Sequence, residues 1–258
     1  MNRIDRLFIE KKKDILSIFF TAGFPRLNDT MPLMRSLQEN GVDMIELGMP
    51  YSDPLADGPV IQQSSQQAIQ NGMSISILFE QIKGMRDEIE IPVILMGYLN
   101  PVLQFGFDKF CAMAADCGID GLILPDLPMY EFETVFKPTV DKFDLRFIFL
   151  VTPETKPERL KKIDELGSGF IYAVSSSATT GSAASEKLAA KDAYFQKLHD
   201  ARLIHPFVIG FGINNKTSFN NACRFANGAI IGTAYINALQ SGRDLEATTK
   251  EFIKGILG

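Results

Sequence analysis

The carboxyl group that the sequence favours most for proton exchange belongs to Glu46, which interrupts the apolar run Met44-Ile45-Glu46-Leu47. In a strand, alternation directs Glu46 to the face opposite Ile45 and Leu47. A buried carboxylate without a partner is unfavourable, so its pKa should rise, and such a group can both give and take a proton. The same pattern fits a structural glutamate bonded to backbone amides equally well, and spacing alone favours neither interpretation.

Two more carboxylates lie in the proline-rich segment 50–59, which reads Pro-Tyr-Ser-Asp-Pro-Leu-Ala-Asp-Gly-Pro. Asp53 and Asp57 follow the strand that carries Glu46, where they could take part in acid–base chemistry. Pro59 is typical of the first turn of a helix, which makes Asp57 a candidate N-cap. From the residues alone, capping is the favoured interpretation of Asp57. Two further carboxylates, Asp126 and Glu154, follow other predicted strands.

Small residues follow the last two predicted strands, as Gly210-Phe211-Gly212 and Gly232-Thr233. Glycine lets the backbone approach an anion, and a short helix starting at Thr233 would direct free amides towards it. Residues 175–185 are mostly small and polar and are predicted to form a mobile lid over such a ligand. The pattern favours a phosphate site, and the alternative is that these glycines serve tight turns only.

Several kinds of chemistry are disfavoured by what the sequence lacks. No lysine ends a predicted strand, which argues against an imine-forming mechanism, and two histidines are too few for a histidine-rich metal site. The net charge of −5, with no basic cluster denser than Lys11-Lys12-Lys13, argues against nucleic acid as the main partner. Three cysteines without metal-like spacing, and no long apolar segment, predict a cytoplasmic protein.

These residues are positioned by a regular alternation of short apolar runs and amphipathic segments. The runs predict eight buried parallel strands, at residues 15–20, 44–47, 93–96, 121–124, 147–151, 170–174, 207–209 and 229–231. Helical periodicity between them predicts helices that include 31–39, 75–88, 107–116, 157–165 and 219–225. Gly41 and Gly118 follow two of these helices and are typical of left-handed helix caps.

Eight such units in 258 residues fit either an open doubly wound sheet or a closed barrel. The first strand leads into Thr21-Ala22-Gly23-Phe24-Pro25 rather than the Gly-x-Gly-x-x-Gly of a dinucleotide fold, which favours the barrel. We therefore predict an α/β protein with a single (β/α)8 TIM barrel over residues 1–258. An extra N-terminal helix and a short phosphate-binding helix after strand eight complete it. In such barrels the chemistry lies at the carboxyl ends of the strands.

The segment 46–62, which includes the proline-rich loop, resembles the signature of the tryptophan synthase alpha family. The resemblance extends through residues 20–25, 98–101, 124–128, 180–181, 210–213 and 228–232 and covers essentially the full length. It implies a lyase that cleaves indole-3-glycerol phosphate to indole and glyceraldehyde 3-phosphate. The indole would pass to a beta subunit, which uses pyridoxal phosphate to join it to serine. The resemblance implies an alpha2-beta2 complex and no cofactor in this chain.

The resemblance also implies roles for individual residues. Glu46 would donate a proton to indole C3 and then accept one from the glycerol hydroxyl, Asp57 would accept a bond from the indole N–H, and Tyr172 would lie near Glu46. The capping interpretation of Asp57 becomes minor. The implied substrate-binding residues are Phe19, Leu99, Thr180, Gly181, Phe211, Gly212, Gly232 and Thr233. The implied partner-facing residues are Pro50, Tyr51, Asp53, Asn100 and Pro128.

Two positions depart from the family pattern. Thr233 stands where serine usually follows the glycine of strand eight, and it keeps a hydroxyl for phosphate. Residues 178–181 read Ala-Thr-Thr-Gly instead of the usual Gly-Val-Thr-Gly, which leaves lid motion and its coupling to the partner open. Two alternatives also stay open: a self-sufficient indole-3-glycerol phosphate lyase, and a non-catalytic regulatory subunit, which the retention of Glu46 and Asp57 disfavours.

Overall fold

Nine short parallel strands form one continuous sheet in the computed structural model, which describes residues 1–174, 184–241 and 244–258, with the backbone alone for 184–190. The strands are β1 (Ile15–Thr21), β2 (Met44–Gly48), β3 (Val93–Met96), β4 (Gly121–Ile123), β5 (Arg146–Phe147), β6 (Leu150–Val151), β7 (Ile171–Val174), β8 (Phe207–Gly210) and β9 (Gly228–Ile231). Their order in the sheet is β5-β4-β3-β2-β1-β9-β8-β7-β6.

The two ends of this order, β5 and β6, are separated in the chain only by Ile148 and Phe149. The amide of Ile148 donates to the carbonyl of Leu122 at 3.0 Å, and the carbonyl of Phe149 accepts from the amide of Tyr172 at 3.0 Å. The two short strands therefore occupy one strand position that is hydrogen-bonded to both neighbouring strands. The sheet closes into a barrel with eight strand positions. The predicted barrel is confirmed. The continuous strand predicted at 147–151 is wrong, because its hydrogen bonds pass from one neighbour to the other midway.

Helices surround the barrel. They are α1 (Arg3–Glu10), α2 (Thr30–Glu39), α3 (Pro59–Gln70), α4 (Ile75–Ile82), α5 (Leu99–Phe105), α6 (Phe107–Asp116), α7 (Met129–Glu131), α8 (Lys137–Lys142), α9 (Pro157–Leu166), α10 (Ala184–Asp200), α11 (Lys216–Cys223), α12 (Thr233–Ser241) and α13 (Leu245–Leu257). Within the described ranges, no helix has the length and apolar character needed to cross a membrane.

Local backbone chemistry explains where several helices begin and end. Gly41 and Gly118 have left-handed φ angles of +89° and +82°, as predicted for glycine caps. The helix predicted at 75–88 is too long, because the backbone of Lys83 is extended and Gly84, with a φ of +77°, turns the chain away from the axis of α4. The helix predicted at 219–225 starts earlier, at Lys216, because the side chain of Asn215 accepts the amide of Ser218 and caps it.

Two apolar clusters hold the barrel together. The outer cluster lies between sheet and helices and contains Ile45 and Leu47, whereas the inner cluster fills the barrel and contains Met44. Alternation along β2 therefore directs Glu46 inward, as predicted. A helix, α1, precedes the first strand: Asn2 caps it by accepting the amide of Ile4 at 2.9 Å, and Ile4 is buried in the inner cluster. This helix covers the amino end of the barrel, so that the strand-end residues meet at the opposite end.

Candidate functional site

Glu46 is completely buried near the carboxyl end of β2. Its Oε1 accepts a hydrogen bond of 3.1 Å from the hydroxyl of Ser17 on β1, whereas Oε2 has no hydrogen-bond partner among the described residues. Burial raises the pKa of Glu46 to about 8, and the Ser17 bond opposes that rise only in part. The carboxyl group is therefore protonated near neutral pH. Within the described part of the chain it accepts no backbone amide bond, which disfavours the interpretation of a purely structural glutamate bonded to amides.

Asp57 does not cap the helix that follows it. The N-cap of α3 is Gly58, without a side-chain cap bond, and Oδ2 of Asp57 instead accepts a hydrogen bond of 3.0 Å from the Tyr98 hydroxyl. The capping interpretation is therefore wrong, because the carboxylate bonds Tyr98, which follows strand β3, instead of an amide of α3. Partial burial raises the pKa of Asp57, and the Tyr98 bond opposes the rise.

Tyr172 of β7 belongs to the inner cluster and is 4% exposed. Burial raises the pKa of its phenol well above the ordinary value, and the charges of Glu46 and then Asp57 add to the effect. The three predicted catalytic residues thus share one end of the barrel. Gly210 of β8 makes room for Tyr172, because a Cβ at position 210 would lie 2.2 Å from the phenolic oxygen.

Phe19 reaches into the same end of the barrel from β1, in register with Glu46. A Cβ added at Gly48 would lie 2.6 Å from its ring, and one added at Gly232 would lie 3.3 Å from it. Phe19 therefore fills the space that glycines leave at the ends of β2 and β9. It forms one apolar wall beside Glu46, which fits its predicted place against a flat aromatic ligand.

The backbone after β8 and β9 has the form expected of an anion site. Phe211 and Gly212 have successive left-handed φ angles of 68° and 73°, and the Phe211 ring meets Tyr172 edge-on at 6.2 Å. Gly232 directly follows the last strand, β9, and α12 begins at the exposed Thr233. The first amides of a helix have no partner within it and are free to bind an anion. Thr180 and Gly181 lie outside the described residues, as do residues 175–183 of the predicted lid, whereas its last two residues, Ala184 and Ser185, begin α10.

The residues predicted to face a partner lie on the rim around Asp57. Pro50 and Tyr51 are half-buried, and Asp53, Asn100 and Pro128 are exposed. The rings of Tyr51 and Tyr98 lie 5.1 Å apart, and the Asn100 amide donates to the Tyr51 hydroxyl at 3.4 Å. The rim is therefore connected to Asp57 through a pair of tyrosines.

Leu99, predicted to bind substrate, opens α5 and is half-buried; its amide donates to the Asp126 carboxylate at 2.9 Å and 3.0 Å. Asp126 thus fixes the start of α5, directly after Tyr98. Among the described residues, no group of three or more His, Cys, Asp or Glu side chains is placed to hold a metal ion.

Sequence reasoning did not single out two residues of this site, Ser17 and Tyr98. Ser17 is a polar residue in the apolar run of β1, at even spacing from Phe19, and that alternation was the available signal. Tyr98 follows strand β3 directly, but nothing in its neighbourhood along the chain indicates that it bonds Asp57. Both contacts join residues far apart in sequence, which local patterns do not record.

Comparison with known proteins places these observations in a family. The family described as "Tryptophan synthase alpha chain" matches residues 7–255. The tryptophan synthase alpha chain of Bacteroides thetaiotaomicron is 50% identical over 246 residues, covering 95% of this chain and 96% of the relative. That of Parabacteroides distasonis is 49% identical, covering 100% and 98%.

Solved structures give the same result. Tryptophan synthase subunit alpha from Legionella pneumophila is similar with a TM-score of 0.88 and 34% identity, covering 99% of this chain and 97% of that one. A chain of tryptophan synthase from M. tuberculosis, in its aminoacrylate-bound form, is similar with a TM-score of 0.86 and 29% identity, covering 99% and 100%. The likeness therefore extends over the whole barrel.

Proposed function

The chain belongs to the tryptophan synthase alpha chain family, whose half-reaction is the cleavage of indole-3-glycerol phosphate, and from that premise we propose that Glu46 and Asp57 carry out this cleavage here. The observation that carries the proposal is the wholly buried Glu46, whose Oε2 has no partner among the residues described and whose pKa is raised to about 8. A carboxyl group that titrates in this range can act as an acid and then, once deprotonated, as a base.

In the proposed reaction Glu46 gives one proton to the substrate and takes a different one from it. The protonated Glu46 donates its proton to indole C3, and the ring gains a positive charge that Asp57 stabilises by accepting the indole N–H bond. The Glu46 carboxylate then takes the proton from the glycerol hydroxyl next to the scissile bond. A carbonyl forms, the carbon–carbon bond breaks, and its electron pair restores the aromatic indole. Glyceraldehyde 3-phosphate leaves, and Glu46 is protonated again. Tyr172 packs beside Glu46 and keeps this end of the barrel free of water.

Binding residues follow from the same placement. Phe19, Leu99 and Phe211 would contact the indole and glycerol portions, and the amides at Gly212, Gly232 and Thr233 would hold the phosphate. Thr180 and Gly181 would complete the phosphate site, as the resemblance implies. This chain would need no cofactor for the cleavage, since Glu46 and Asp57 supply the acid, the base and the charge stabilisation.

The partner proposal rests on the rim. A beta subunit that carries pyridoxal phosphate would bind at Pro50, Tyr51, Asp53, Asn100 and Pro128, in an alpha2-beta2 tetramer in the cytoplasm. Binding there would hold Asp57 in place through the Tyr51–Tyr98 pair, whose rings lie 5.1 Å apart. The whole chain would act as one catalytic domain, since one barrel carries every proposed group.

The test is indole release from indole-3-glycerol phosphate at saturating substrate, by the chain alone and during titration with a beta subunit. We expect a slow basal rate that rises with the partner, because the partner shifts the population towards the active arrangement. Tyr51→Ala should weaken activation more than the basal rate. Ile204→Ala, a change at an exposed apolar residue outside the rim, should affect neither. A high rate that stays flat through the titration would favour the self-sufficient lyase. No release even with the partner would favour the non-catalytic regulatory subunit.

A further inference from the structure

Ser17 is a polar residue in a part of the barrel interior that is otherwise apolar. It is completely buried on β1, in register with Met44 of β2 and Ile230 of β9, and both of those residues belong to the inner apolar cluster. A buried hydroxyl is unfavourable unless it makes a hydrogen bond. Packing alone would therefore favour an apolar side chain at position 17.

The contact that satisfies this hydroxyl is the hydrogen bond to Glu46. Ser17 Oγ lies 3.1 Å from Glu46 Oε1, across 29 residues of sequence, and Oε2 has no partner in the ranges that the structure describes. The two carboxyl oxygens are therefore different: one receives a bond from the barrel wall, and the other is free. A protonated carboxyl group has one O–H donor and a carbonyl oxygen that is the better acceptor, so a hydroxyl that donates to Oε1 favours the proton on Oε2.

We infer that Ser17 is a positioning residue, whose bond to Oε1 fixes the Glu46 carboxyl group and keeps the exchangeable proton on Oε2. The inference rests on the proposed function, because it concerns the oxygen that exchanges a proton with the substrate. Loss of the Ser17 bond would let the carboxyl group rotate and place its proton on either oxygen. It would also raise the pKa of Glu46 further, since this bond favours the ionised form.

The kinetic test uses two variants of nearly equal shape, Ser17→Thr and Ser17→Val, which differ by a hydroxyl and a methyl group. We expect Ser17→Thr to keep most of the turnover and Ser17→Val to lower kcat about tenfold, with KM changed less than about twofold. Ser17→Ala, which adds no atom to the interior, should lower kcat to a similar extent as Ser17→Val. As a control, Ser168→Ala removes a serine hydroxyl bonded at 2.9 Å to the amide of Phe147, and it should leave kcat unchanged.

A second measurement does not depend on turnover. The Glu46 carboxyl carbon, followed by NMR in the substrate-free chain labelled with 13C-glutamate, should titrate at higher pH in Ser17→Val and Ser17→Ala than in Ser17→Thr. Tyr172, Asp57, Tyr98 and Asp126 are titratable groups at the same end of the barrel as Glu46, and Tyr172 is the one whose pKa the Glu46 charge raises. Tyr172 is neutral in the range of interest, and Asp57 is present in every variant, so the difference reports Ser17.

The outcomes separate this inference from the proposed function. Equal kcat and equal Glu46 titration in wild type, Ser17→Val and Ser17→Ala would overturn the role of Ser17. Near-normal turnover by Glu46→Gln would overturn the role of Glu46 in catalysis, and with it the positioning role. If Glu46→Gln remained active while the Glu46 titration differed among the Ser17 variants, the Ser17–Glu46 bond would be shown to exist. The failure would then lie with the proposed catalytic role of Glu46.

Discussion

The phenolic oxygen of Tyr98 lies 3.0 Å from Oδ2 of Asp57 and donates a hydrogen bond to it. The same oxygen accepts the amide of Ala56 at 3.1 Å, so Tyr98 bonds both the carboxylate and the backbone next to it. The loop after β2 is therefore held to the start of α5 at the residue proposed to stabilise charge on the indole. Asp57 depends on Tyr98 both for its position and for its ionised form.

Tyr98→Phe should lower kcat and move the acid limb of the pH–rate profile to higher pH. The Tyr98 bond opposes the rise in the Asp57 pKa, so its loss raises that pKa, and Asp57 becomes protonated at a higher pH. We expect a fall in kcat on the order of tenfold, as for other hydrogen bonds to charged groups. Tyr130→Phe, at a tyrosine that is 70% exposed, is the control. An acid limb that does not move would contradict the role given to Tyr98.

Gly210→Ala should impair both stability and turnover, because the new Cβ would lie 2.2 Å from the Tyr172 oxygen. Overpacking of this kind destabilises by about 1–3 kcal/mol, and a displaced Tyr172 would disturb Glu46. Gly255→Ala is the matched control, since a Cβ there meets nothing within 4 Å and alanine favours the helix α13. Thermal unfolding and indole release measure the two effects. A Gly210→Ala variant as stable and active as wild type would show that the glycine is not required.

The sequence was sufficient for the barrel and for the inward direction of Glu46, because both follow from periodicity along single segments. It was not sufficient for Asp57. The local sequence does not distinguish Asp57 from Gly58 as the N-cap of α3, and the residue that bonds Asp57, Tyr98, lies 41 residues away in the chain. The break between β5 and β6 was not predicted from the sequence, for a related reason. Whether Ile148 and Phe149 continue a strand depends on which neighbour each one bonds. Local patterns therefore predict elements, and contacts between elements determine the chemistry.

The buried Glu46 should make the folded protein less stable as pH rises from 4.5 to about 8. Its pKa is raised on folding, so between these values the folded state binds more protons than the unfolded state, and stability falls with increasing pH. Glu46→Gln removes this group. The unfolding free energy of wild type relative to Glu46→Gln should therefore decline by several kcal/mol across this window and level off above it. Parallel stability curves of the two proteins would show that the Glu46 pKa is not raised.

Thr233→Ala should raise KM about threefold to tenfold and leave kcat nearly unchanged. It removes one neutral hydroxyl among several donors proposed to hold the phosphate, and such a bond contributes about 0.5–1.5 kcal/mol. Ser241→Ala at the other end of α12, where the hydroxyl bonds backbone carbonyls, should leave KM unchanged. Steady-state kinetics with indole-3-glycerol phosphate distinguish the two variants. An unchanged KM in Thr233→Ala would place the phosphate elsewhere.

The most direct measurement is the rate of indole release from indole-3-glycerol phosphate by Glu46→Gln, compared with Glu88→Gln. The second variant makes the same chemical change at an exposed carboxylate that pairs with Arg35 on the surface. If Glu46 passes the proton, its amide variant should fold normally and lose about 10²–10⁴-fold in rate, whereas Glu88→Gln should remain active. Near-normal cleavage by a folded Glu46→Gln would contradict the assignment of Glu46 as the acid and base.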